Sequence, residues 1–135
     1  MIRKIEHLGI AVNSLEESNE LFRKLLGETH YKVEEVQSEG VSTSFFMLGE
    51  TKIELLEATN SESAISKFIE KRGGGMHHIA LDVDDIYAEI QRLKDEGFQV
   101  LNETPKEGAD NKLICFLHPK STGGVLVELC QERTT

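Results

Sequence analysis

The sequence predicts an α+β fold: two tandem βαβββ modules that form one curved, roughly eight-stranded mixed sheet. Three observations carry this. The chain repeats itself, with "EHLGIAVNSLEES" echoed by "HHIALDVDDIYAE" 71 residues later. Each copy orders a strand, a helix and three further strands. Each copy alone has about 60 residues, marginal for an independent core, so the two should share one sheet with the helices covering one side.

The first strand, residues 5–12, alternates in hydrophobicity. Ser14 and Glu17 then form an S-x-x-E helix start, and Leu15, Phe22, Leu25 and Leu26 lie on one helical face. Gly27 stands where a helix C-terminal glycine belongs. Strands follow near 31–37, 42–48 and 52–57. "SESAISKFIEKRGGG" reads as a linker helix with Ala64, Ile65, Phe68 and Ile69 as its apolar stripe. The second copy has a strand at 77–83, a helix at about 85–96 and Gly97 as its stop. Strands near 98–102, 112–117 and 124–130 complete it. The whole reads as a single domain over 1–135: module one at about 1–59, the linker helix at about 61–72, module two at about 76–135.

Fifteen basic against 24 acidic residues give a net charge of −9, which disfavours nucleic acid and anionic membranes as partners. No apolar run approaches the roughly 20 residues of a membrane span, and the N-terminus lacks a signal-peptide pattern, so the expected location is the cytoplasm. Cys115 and Cys130 have no CxxC spacing and read as reduced, structural thiols.

Strand alternation sorts the polar residues. His7 shares a face with Gly9 and Ala11, and His78 shares one with Ala80 and Asp82. Glu54 and Glu128 point away from the apolar residues that flank them. His7, Glu54, His78 and Glu128 occupy matched places in the repeat and are predicted on the face away from the helices. A lone strand histidine or glutamate is usually just a polar residue; two of each at matched places suit a divalent ion such as Zn, Co, Ni, Mn or Fe(II). His77 falls on the other face and reads as packing or edge contact. His30 has no repeat partner, and neither has His118.

"HLGIAV", "KIELLE", "HHIALDV" and "HPKSTGGVLVEL" resemble the vicinal oxygen chelate superfamily and, within it, the epimerases that act on methylmalonyl-CoA. The similarity spans nearly the whole chain. It implies a homodimer with one divalent transition metal ion per chain (Co, Zn, Ni or Mn), held by His7, Glu54, His78 and Glu128. It implies removal of the C2 proton of an acyl-CoA thioester and its return to the other face, which needs two bases. Glu128 is one candidate. Relatives carry the other in a "PEQGV"-like loop; here the loop is "VQSEGV", so Ser38 takes that place and Glu39 is shifted by one. Lys112, Lys120 and His118 are candidate substrate contacts, although each lysine alone reads as a solvated surface residue. A glyoxalase I-type lyase, an extradiol dioxygenase and a non-catalytic binding or resistance protein remain as alternatives on the same fold.

Overall fold

The structure, a computed structural model, describes residues 1–133. The elements are β1 (Ile2–Ala11), α1 (Leu15–Leu26), β2 (Lys32–Val36), β3 (Val41–Leu48), β4 (Thr51–Ala58), α2 (Ala64–Arg72), β5 (Gly75–Val83), α3 (Ile86–Asp95), β6 (Lys106–Glu107), β7 (Lys112–Leu117) and β8 (Val127–Glu132). This is the βαβββ order stated twice, with α2 between the copies. The strands form a mixed eight-stranded sheet in the order β2-β3-β4-β1-β5-β8-β7-β6, in which β5 and β8 run parallel. The chain divides into two compact units, Leu8–His77 and Met1–His7 together with the chain from His78 on.

In the Leu8–His77 unit, the Ser14 side chain accepts the Glu17 N–H at 3.2 Å and starts α1. Gly27, at φ 80°, ends it by donating to the Arg23 carbonyl. Leu15, Phe22 and Leu26 of α1 pack on Ile10, Val12, Phe46, Ile53 and Leu55. Ile65, Phe68 and Ile69 of α2 pack on Ala11, Val41 and Leu56. Leu55 and Leu56 are consecutive on a strand, so α1 and α2 cover opposite faces. The expectation that the helices all cover one side therefore fails for α2. The reason is that "IELLEA" is apolar on both faces, and each face needs cover.

In the other unit, Asp85 caps α3 by accepting the Ala88 N–H at 3.2 Å. Ile86, Ile90 and Leu93 pack on Val83, Cys115, Leu117 and Leu129. The opposite face carries Ala80, Ile114 and Cys130. The two cysteines thus lie on opposite sides of the sheet, both free and buried. Burial pushes the Cys115 thiol up to about 11 and raises Cys130 as well, which makes both poor nucleophiles.

One device recurs in both units. The first N–H of α1, on Leu15, donates to the Glu57 carboxylate at 3.2 Å; the first N–H of α3, on Ile86, donates to the Gln131 side-chain oxygen at 2.7 Å. Glu57 and Gln131 each stand three residues beyond the repeat-matched Glu54 and Glu128. The last strand of each copy therefore fixes where its helix begins.

Two predicted strands need correction. Residues 98–102 are not a strand: only Val100 bridges Leu117, and the short β6 comes later. Asn102 is the cause. Its side-chain oxygen accepts the Phe116 N–H at 3.0 Å and its amide donates to the Ile114 carbonyl at 3.2 Å, taking ladder positions that a backbone would fill. The last strand begins at Val127 rather than 124, because Gly123 and Gly124 both adopt positive φ.

Replacing Asn102 by Ala leaves the Phe116 N–H without that acceptor. The expected cost is about 1–3 kcal/mol. It should appear as a lower urea midpoint with an unchanged slope.

Candidate metal centre

His7 ends the part of β1 that belongs to the unit from His78 on, and His78 begins that unit's part of β5. The parallel register pairs Ala80 with Glu128 and Leu81 with Leu129. Leu129 packs with the α3 cluster, so Glu128 takes the other face, beside Ala80 and two residues along from His78. Ala80 is fully buried and leaves room for longer neighbours to converge.

They do converge. His7 Nε2 lies 3.0 Å from His78 Nε2. Glu128 Oε1 lies 3.1 Å from His78 Nε2 and 3.7 Å from His7 Nε2. All three residues are buried, at 5%, 6% and 5% exposure for His7, His78 and Glu128. Donors bound to one ion at roughly 2.1 Å on neighbouring octahedral positions stand about 3.0 Å apart. The triangle of two imidazole nitrogens and one carboxylate oxygen therefore fits a divalent transition ion in both spacing and donor type. Burial by itself pushes the Glu128 carboxyl up. Its contacts with His7 and His78, and their positive charge when protonated, outweigh that and hold it well below the ordinary carboxylate range. The Phe116 ring meets His78 edge-on at 5.9 Å and limits its rotation.

Glu54 is also buried, on β4 of the Leu8–His77 unit, paired in register with Phe45. Glu39 closes a 3-10 turn, Gln37–Glu39, between β2 and β3. The next residue, Gly40, has φ 64°, and a Cβ there would stand 2.8 Å from the Ser63 Cβ and 2.9 Å from Asn60 Nδ2. Packing thus fixes the end of the turn that carries Glu39. Lys112 is not a solvated surface lysine: it is buried on β7, with Nζ 4.0 Å from Glu6 Oε2. Its position two residues before Ile114 puts it on the face opposite α3. Lys120 is exposed. His118 caps the short turn Pro119–Ser121, its Nδ1 accepting the Lys120 N–H at 3.1 Å. His77 packs edge-on against Phe68 at 5.0 Å, and His30 lies beside Phe46.

Sequence reasoning missed Glu6. It is buried, and its Oε1 lies 2.6 Å from His7 Nδ1. Strict alternation would send consecutive side chains to opposite faces. The only signal was a carboxylate adjacent to a candidate ligand histidine, a residue type that commonly orients such rings.

The sequence pattern of the Glyoxalase/Bleomycin resistance protein/Dioxygenase superfamily matches residues 6–116. The chain belongs to this superfamily. It is 44% identical over 130 residues to a mitochondrial methylmalonyl-CoA epimerase of Dictyostelium discoideum, covering 95% of this chain and 78% of that protein. It is 43% identical over 133 residues to an ethylmalonyl-CoA/methylmalonyl-CoA epimerase of Cereibacter sphaeroides, covering 97% and 99%. Among solved structures, a Streptomyces coelicolor methylmalonyl-CoA epimerase variant in complex with 2-nitronate-propionyl-CoA matches with a TM-score of 0.95 at 33% identity, over 100% of this chain and 98% of that one. Among the described residues no helix is long and apolar enough to cross a membrane.

His78→Ala removes one corner of the donor triangle. Purified wild-type chain is expected to retain cobalt or zinc through dialysis, and the variant to lose it, as read by elemental analysis. A second expectation concerns acid. Glu128 is held below its ordinary value of 4.5, so its contribution to stability is present above that pH and lost as pH falls through its lower folded value. In chelator, the stability gap between wild type and Glu128→Gln, measured by urea unfolding, should be full at about pH 6 and narrow progressively as pH falls below 4.5.

Proposed function

We propose that the chain is a metal-dependent methylmalonyl-CoA epimerase. One observation supports it above others: the buried His7–His78–Glu128 triangle occurs in a chain similar to such epimerases along nearly its whole length. The repeat-matched Glu54 is proposed as the fourth ligand. A divalent ion at these residues supplies a Lewis acid toward the substrate oxygens on which charge develops.

The protein residues handle the proton. The C2–H bond breaks as one carboxylate accepts the proton, and the C2–H bond on the opposite face forms as a second acid returns one, so no net proton is consumed. Glu128 and Glu39 are proposed for these two roles. Because the chain carries a charge of −9, the anionic CoA tail needs local cations, and Lys120 and His118 are proposed to meet it; Lys112, buried with its ammonium toward Glu6, is no longer a candidate for that contact. We also propose a cytoplasmic homodimer.

Two histidines and one carboxylate are also the donor set of non-haem iron oxygenases, which favours a dioxygenase as the second reading. The two separate cleanly. In deuterated water, metal-loaded chain should exchange the C2 proton of methylmalonyl-CoA and interconvert its epimers. Metal-loaded protein that does neither, or that with Fe(II) consumes dioxygen, would sink the epimerase. Glu39→Gln should slow epimerisation by about 10²–10⁴-fold. It should retain deuterium exchange from only one of the two epimers, the signature of losing a base on one face.

A further inference from the structure

We infer that Glu6 is a positioning residue for the metal centre: its carboxylate fixes His7 in the tautomer that carries its proton on Nδ1 and presents Nε2 as a lone pair toward His78 and Glu128. The inference rests on the metal-site reading above.

A neutral imidazole has one proton for two nitrogens. An ionised carboxylate only accepts hydrogen bonds. With Glu6 Oε1 at 2.6 Å from His7 Nδ1, the proton belongs on Nδ1 and the lone pair on Nε2. Nε2 is the nitrogen that faces the other two donors, at 3.0 Å and 3.7 Å. The second carboxylate oxygen faces the Lys112 ammonium at 4.0 Å, which balances a negative charge at a residue only 5% exposed. A buried carboxylate is expensive to retain where apolar packing would serve the fold as well. Here Cys130, close to Glu6, packs with the apolar Ala80 and Ile114. Glu6 therefore holds its place by what it does to the adjacent ring. The same donors admit a rival arrangement, because Glu6, His7 and Cys130 also bring three ligating atoms within 4.8 Å of one another. In that arrangement an ion would take His7 through Nδ1.

The test compares wild type, Glu6→Gln and the double variant Glu6→Leu/Lys112→Met, each titrated with zinc against a competing chelator. The amide oxygen of Gln still accepts from Nδ1–H, so Glu6→Gln should stay within a few-fold of wild type. The double variant removes acceptor and counter-charge together and should bind about 10–100-fold more weakly. Long-range ¹H–¹⁵N spectra of zinc-loaded wild type should show His7 protonated at Nδ1, and this decides the matter even if the double variant does not fold. A folded double variant with wild-type affinity overturns the inference, as does His7 bound through Nδ1. A thiolate charge-transfer band from Cys130 in the cobalt-loaded chain overturns it too. If wild type binds no metal, the metal-site reading fails and takes this inference with it. If wild type binds and all variants bind alike, this inference alone fails.

Discussion

The parallel register of β5 against β8 is the constraint on which the rest of the unit depends. It sets Ala80 against Glu128 and Leu81 against Leu129. A slip of one residue would turn Glu128 into the apolar cluster under α3 and Leu129 out among the histidines. That exchange would strand a carboxylate in an apolar core and is strongly disfavoured. The register is secured from the apolar side. Leu129, Cys115 and Val83 are wholly buried against α3, and the Gln131 side chain holds the first N–H of that helix at 2.7 Å. Packing on one face thus fixes chemistry on the other.

The opposite face carries an unusual share of buried polar groups: Glu6, His7, His78, Asp82, Lys112 and Glu128. Removing charged groups from water is costly unless each finds partners. The structure meets that demand by pairing them. Asp82 accepts from Arg3 at 2.9 Å, Glu6 lies between His7 and Lys112, and Glu128 lies against both histidines. Such a network specifies a geometry more than it stabilises a fold.

Legibility followed periodicity. The repeat and strand alternation together selected His7, Glu54, His78 and Glu128, because a strand's period of two places every second residue on one face; His7, His78 and Glu128 of these bring their ligating atoms together. They chose His78 over His77 on the same ground, and His77 indeed packs on α2. Glu6 and Lys112 escaped because their role depends on where side-chain ends meet, which periodicity does not encode. Residues 98–102 misled for a related reason: a side chain, Asn102, occupies the ladder, and composition cannot distinguish that from a strand. The paired helix caps were within reach of the repeat, since Glu57 and Gln131 align wherever Glu54 and Glu128 do.

The one-residue displacement of Glu39 from its place in related loops takes a different meaning once the loop is known. In a strand, a shift of one residue reverses the direction of a side chain. Gln37–Glu39 is instead a 3-10 turn, in which neighbouring side chains are separated by about 120°. A displacement there rotates a carboxylate part of the way round an axis and leaves the reversal incomplete. Gly40 then fixes how the turn ends, because its positive φ and its contact with Asn60 and Ser63 admit no larger residue without movement. The proposed second base therefore sits on backbone set by packing.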